Sequence, residues 1–175
     1  ADGINDFTSM SLYLAPGSSL FTDFKIHNNV IKNPKQKGLA IGGVHNLDIY
    51  NNVIYGMNPN IGSYRPMVSI SGECENVTFN NNIVYGTVSS DRFSVRGVYV
   101  GGNGSGLTMN HNIHYQLDAV QPIVYASSQS YTMSEWTGYK SETGWDLSSP
   151  APQDPMFVNP AGNDFRLLQG SPAID

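Results

Sequence analysis

Apolar residues in this chain come in short runs that stop at glycine or asparagine: LAIGG, LDIYNNVIYG and GVYVGG. Within the runs, apolar and polar positions alternate, and β-branched and aromatic residues predominate. That pattern predicts half-buried strands joined by tight turns. Most of the chain lacks a 3.6-residue apolar period, so helices are not expected there. The predicted fold class is all-β.

A longer repeat overlies the alternation. One phrase occurs four times, as KIHNNVIKN at 25–33, DIYNNVIYG at 48–56, TFNNNIVYG at 78–86 and TMNHNIHYQ at 108–116. Its asparagines Asn29, Asn52, Asn82 and Asn112 are spaced by 23, 30 and 30 residues. A second short strand precedes each phrase: SLYLAPG from Ser11, GLAIGG from Gly38, MVSISGE from Met67 and GVYVGGN from Gly97. PIVYASS from Pro122 opens one more turn. A period of 20–30 residues holding several short strands predicts a solenoid, whereas propeller blades repeat at about 40 or more. Each turn is too thin to bury a core alone, so turns must stack as a parallel β-helix. Five turns at about 4.8 Å each would span roughly 20–24 Å.

Alternation assigns faces. Ile26, Ile49, Phe79 and Met109 share one inward column, and Leu39, Ile41, Val68, Ile70, Val98 and Val100 line a second wall. Insertions at 57–66 and 87–96 read as loops. The asparagine column reads as structural. Asparagine tolerates left-handed backbone at corners, and stacked amides bond from one turn to the next.

Composition narrows the function. Asn, Ser and Gly make up 55 of 175 residues, as in disordered segments, but the β-rich apolar runs argue for order. Charged residues are 13%, net charge is −5 and the pI is near 5.2, which argues against a nucleic-acid partner. No apolar run approaches 18 residues, so no membrane span is expected. Cys74 is the single cysteine, which excludes an internal disulfide and a cysteine-based metal site. The chain starts Ala1-Asp2-Gly3 without a leader-like stretch. Either a leader has been removed or this is a module of a longer protein.

The repeat resembles the right-handed parallel β-helix proteins of the pectate-lyase type over nearly the whole chain. The C-terminal stretch MSEW…ETGWDLSS…QDPMFVNPAGNDFRLLQGSPAID is similar to the closing segment of many secreted bacterial β-helix proteins. The resemblance implies turns over 1–128 and a C-terminal capping segment over 129–175 of the same domain. Trp136, Asp146, Phe157, Asp164 and Arg166 would form that cap, with Trp145 exposed. It also implies an extracellular protein acting on polysaccharide. Size, fold and lack of catalytic groups make the chain similar to the β-helical xylan-binding modules of carbohydrate-binding module family 89, which accompany xylanases.

Catalytic chemistry is sparse. A lyase of this fold would need a Lys or Arg base and carboxylates holding Ca²⁺, which takes six to eight oxygens. Glu73 and Glu75 flank an expected turn, and a weak Ca²⁺ site there, or with Asp91, is the only metal reading. A glycoside hydrolase needs two carboxylates about 5–9.5 Å apart. Asp48 lacks an evident partner, and Asp91, Asp23 and Asp118 are candidates only through loops. The best enzymatic grouping is Lys25, His27 and Asp48; its plain alternative is a weak surface cluster. His45, His111 and His114 fall at turn or wall positions without metal-ligand spacing.

Binding groups are more abundant. Neutral glycans are held by aromatic faces, amides and hydroxyls. Tyr50 neighbours His27 and Asn80 on adjacent turns, beside Asp48. Tyr13 and Tyr99 point outward from the other strand, with small Ala40 and Ser69 between them to leave a groove. Tyr55, Tyr85 and Tyr115 form a further column, either an outward platform or packed at a corner. Tyr64, Arg65 and Arg92 would wall the groove from loops. The sequence therefore predicts a secreted, non-catalytic carbohydrate-binding module for a plant cell-wall glycan, xylan first, needing no cofactor and tethered to a catalytic domain. The alternative is a polysaccharide lyase or glycoside hydrolase. Tyr50, Tyr99, His27, Asp48, Asn80, Tyr13 and Arg92 are the expected sugar contacts.

Overall fold

The computed structural model describes residues 10–13, 22–34, 37–56, 66–87, 93–100, 106–126 and 128–174. The protein is all-β there, apart from one short helix and a 3-10 turn. Three sets of parallel strands carry the repeats. The first joins β1 (Met10–Tyr13), β4 (Leu39–Gly42), β7 (Val68–Asn80), β9 (Phe93–Val100) and β12 (Val124–Ala126), and β13 (Gln129–Tyr131) adds to β12 in the antiparallel sense. The second joins β2 (Thr22–His27), β5 (His45–Tyr50), the C-terminal half of β7 and β10 (Leu107–Asn110). The third joins β3 (Val30–Lys32), β6 (Val53–Tyr55), β8 (Ile83–Gly86) and β11 (Ile113–Gln116). The chain visits first, second and third sets in that order through all four repeats. β7 serves two sets without a break, so the two strands expected at 67–73 and 78–80 are one.

Register follows the sequence repeat. Ile26, Ile49, Phe79 and Met109 align as expected, and the last three are buried with Leu47, Val77 and Leu107. Leu39, Ile41, Val68 and Ile70 face them from the first set, and Ile31, Ile54 and Val84 from the third. Fully burying each such side chain contributes about 1.5–3 kcal/mol. The expectation for Val98 and Val100 fails. Phe93 and Val95 pair with Val68 and Ile70, while Val98 and Val100 pair with Gly72 and Cys74 after a register shift at Ser71/Gly72. Residues 93–96 are thus strand, not loop. Local alternation could not reveal that slip, because Phe93 and Val95 carry the same apolar period as Val98 and Val100.

The four asparagines form one ladder. Each Nδ2 donates to the next Oδ1: Asn29 to Asn52 at 3.0 Å, Asn52 to Asn82 at 3.0 Å and Asn82 to Asn112 at 3.3 Å. Each Oδ1 also accepts the preceding asparagine's backbone N–H, at 2.9–3.1 Å. The positive φ angles fall one residue earlier than expected, at Asn28, Asn51, Asn81 and His111 (55–57°). The tight corner is taken by one residue and its hydrogen bonding by the next. A shorter exposed ladder joins Asp23, Asn46 and Asn76 at another corner, with φ of 53–66°.

The C-terminal segment does two things. Met133–Glu135 and α1 (Trp136–Thr143) lead to Asp146 and Ser149, which close the buried ladder. Asn112 donates Nδ2 to Asp146 Oδ1 and its backbone N–H to Ser149 Oγ, both at 2.9 Å. A ladder whose last member offers only donors requires acceptors, and a carboxylate with a hydroxyl supplies them. Trp145 is half-buried against the core rather than exposed. The hairpin of β14 (Phe157–Asn159) and β15 (Asp164–Leu167) instead lies along the third set of strands. Phe157 and Phe165 pack on Tyr55 at 6.2 and 5.4 Å between ring centres, and Phe157 on Tyr85 at 6.1 Å. The tyrosine column is therefore packed rather than a free platform. Arg166 and Asp164, expected in the cap, pair with each other on the hairpin at 2.6 Å, with Arg166 exposed.

Candidate functional site

A cleft of roughly 490 Å³ opens where the second and third sets meet. Exposed Asn51, Asn81 and His111 line one side of it. They sit at equivalent points of three successive repeats, each presented by the positive φ of its corner. Val53, Ile83 and Ile113 supply apolar surface from in-register positions of β6, β8 and β11. The ladder residues Asn52 and Asn82 also reach the lining, and Ser148, Pro150, Leu167, Pro172 and Ala173 join it from the C-terminal segment. Among the described residues no Lys, Arg, Asp or Glu contributes, and His111 is the one ionisable lining group. Amides over an apolar floor suit a neutral, hydroxyl-rich ligand. An acidic ligand would find no charge to meet.

Next to the cleft runs the outer face of the second set, where the sequence places its sugar contacts. His27, Tyr50, Asn80 and Asn110 align in one row. The His27 and Tyr50 rings stack, 4.8 Å apart and within 6° of parallel. Each ring covers one face of the other, and the rest of the pair stays partly exposed, so a ring ligand would meet its outer face or edges. Asn80 is committed elsewhere, its Oδ1 accepting the Asn110 N–H at 2.8 Å. Lys25, Asp48, Thr78 and Thr108 form the adjacent row, and Asp48 Oδ1 accepts the Thr78 hydroxyl at 2.8 Å.

The other expected contacts separate. Tyr13 aligns with Gly42 and through it with Ser71, while Tyr99 aligns with Glu73. Neither shares the row of Ala40 and Ser69, which belongs to Ser11 and Ser94. Ala40 and Ser69 are buried, so they form no open groove floor. The register slip in β9 is the reason on the Tyr99 side. Arg92, with Tyr64, Arg65 and Asp91, lies outside the described residues. Glu73 and Glu75 lie within β7 rather than at a turn, and Glu75 pairs with His45 at 3.1 Å. Among the described residues, no three His, Cys, Asp or Glu side chains gather as a metal cluster.

A buried polar cluster escaped the sequence reading. His114 and Asp146 are both inaccessible to solvent, with Nε2 and Oδ2 3.2 Å apart. Asp146 also accepts the Tyr139 hydroxyl at 2.9 Å and the Ser149 hydroxyl at 2.6 Å. Burial alone would raise the Asp146 carboxyl. The facing His114 and the hydrogen bonds from His114, Ser149 and Asn112 outweigh it and hold the group below its ordinary range. Burial and the Asp146 charge push the Tyr139 hydroxyl far up. The grouping His, Asp, Ser invites a catalytic reading, but its burial and its tie to the ladder give it a structural task. Only pairing across the closed end brings these residues together; nothing in their sequence spacing signals it.

Comparison with known proteins finds no matching family model, no similar curated protein and no similar solved structure.

Proposed function

We propose that this chain is a right-handed parallel β-helix of about five turns, closed at its C-terminal end, that binds polysaccharide without cleaving it. The favoured ligand is a neutral β-linked plant cell-wall glycan, xylan first. The module would be secreted and would hold an attached glycoside hydrolase at its insoluble substrate, raising effective concentration. The ordered return of the chain to the same three sets, in register, supports the fold.

One observation carries the function: a cleft whose described lining holds no Lys, Arg, Asp or Glu repeats the same left-handed corner over three successive repeats, as Asn51, Asn81 and His111, and adjoins the stacked His27–Tyr50 pair. An extended polymer laid across the repeats would meet equivalent groups at each step, so weak contacts sum. Affinity electrophoresis on soluble xylan, glucan, mannan and pectin tests this, with reducing-end and unsaturated-product assays run with and without Ca²⁺. Retardation by a neutral glycan without product is the expected result. Failure to be retarded by any of the four overturns the reading. Product formation abolished by Asp48→Asn would replace it with a lyase or hydrolase.

A further inference from the structure

The cleft has one wall that belongs to none of the parallel sets. Leu167, Pro172 and Ala173 come from the C-terminal segment. That segment rests on the third set through an apolar face of Phe157, Phe165 and Leu167. Apolar packing is non-directional, and a two-stranded hairpin is marginal by itself. A directional contact must therefore set where the hairpin sits.

Two hydrogen bonds from one buried side chain tie 151–174 to the parallel strands. Lys32 Nζ, at the end of β3, donates to Ala161 O at 2.9 Å and to Asn163 Oδ1 at 2.6 Å. The ammonium also lies 6.0 Å from the centre of the Phe165 ring. Lys32 is buried, at 8% exposure, and both of its acceptors are neutral. A buried ammonium is costly unless hydrogen-bonded, so the hairpin tip is its natural partner. The tip is in turn tied to the wall. β15 starts beside Asn163 and ends at Leu167, opposite Phe157. Beyond it, Leu168 N–H bonds Met156 O at 2.9 Å and the buried Ser171 hydroxyl bonds Pro155 O at 2.7 Å. A shift at the tip therefore moves the wall.

We infer that Lys32 is a positioning residue for the cleft: by latching the hairpin tip it fixes the wall that a bound glycan meets. This rests on the glycan-binding reading. By reciprocity, a ligand that touches the wall tightens the latched hairpin.

Hydrogen exchange on the full chain, with and without xylo-oligosaccharide, tests the idea in two variants. Lys32→Met keeps the apolar stem and removes the ammonium. Asn163→Gly removes the acceptor at a position whose φ is 66°, which glycine adopts freely. A hydrogen bond to a charged group is strong enough that its loss should speed exchange over 157–168 about tenfold or more. Affinity should fall about tenfold in Lys32→Met and by no more than that in Asn163→Gly, which leaves the bond to Ala161 O, and the double variant should be no worse than Lys32→Met alone, because that change already removes the bond Asn163→Gly deletes. In the wild type, ligand should slow exchange over 157–168. Unchanged exchange in both variants overturns the latch. A loosened hairpin with wild-type affinity overturns its role in the cleft. A wild type that retains no glycan sinks the binding reading, and the ligand-free exchange then decides the latch by itself.

Discussion

Replacing Asn82 with Ala should be far more damaging than replacing Asn29, though both belong to one ladder. Asn82 is 1% exposed. Its Oδ1 accepts the Asn52 backbone N–H and amide, each at 3.0 Å. Its Nδ2 donates to Ile49 O at 2.9 Å and Asn112 Oδ1 at 3.3 Å. Truncation leaves at least the buried Asn52 N–H and the Ile49 carbonyl without those partners. At about 1–3 kcal/mol for each buried group left unsatisfied, the loss is about 2–6 kcal/mol. Asn29 is half-buried at the open end of the ladder, and its backbone N–H still serves Asn52 Oδ1 after truncation. Its replacement should cost about 1 kcal/mol, one ordinary hydrogen bond. Urea unfolding measures both, with an unchanged slope showing that stability alone has moved. Equal losses at the two positions would refute the idea that the ladder's worth lies in burial, and would reduce it to a row of independent surface bonds.

Three further outcomes are expected. Asp146 has its folded pKa held down, so its contribution is fully present above the unfolded value near 3.9 and is lost as pH falls through the lower folded value. Wild type should therefore exceed Asp146→Asn in urea-measured stability at neutral pH, with the gap shrinking in acid; a constant gap from neutral pH to pH 2 would count against it. The Tyr85 hydroxyl is pushed up to about 12, first by burial and then by Asp154; stability from its neutral form is present below pH ~10 and lost as pH climbs toward 12. An ultraviolet titration should show Tyr85 ionising late, and a Tyr85→Phe variant that leaves the late phase intact would contradict this unless Tyr131, also raised to about 12, accounts for it in the double variant. Tyr50→Ala should weaken glycan binding by about 2 kcal/mol, roughly thirtyfold, equally at low and high salt, since a neutral glycan offers no charge to screen; calorimetry giving wild-type affinity would remove the His27–Tyr50 stack from the site.

The periodic part of the molecule was legible because stacking forces each residue to repeat its neighbour's environment. Ile49, Phe79 and Met109 had to match, and so did Asn52, Asn82 and Asn112. Features that break the period were not legible. The slip at Ser71/Gly72 moves Tyr99 opposite Glu73, and no local pattern marks it. His114 stands where Ile54 and Val84 stand in the earlier repeats. That substitution at an inward apolar position was the available signal for a buried polar partner, and Asp146 is that partner. The cleft combines Asn81 with Pro172, 91 positions apart in the chain, and only folding sets them side by side.

The hairpin also works as a tape measure. It starts from the closed end of the molecule and reaches back to Lys32, in the first of the four repeats. Its length is set by Phe157–Leu167, while the distance it must cover is set by how many strands lie between. Splicing one more 30-residue copy between Asn52 and Asn82 would extend the ladder without offence, since each asparagine accepts another above it. It would also carry Lys32 about 4.8 Å farther away, out of reach of Ala161 and Asn163. A chain built from repeated units thus contains an element whose contact with Lys32 depends on how many strands lie between.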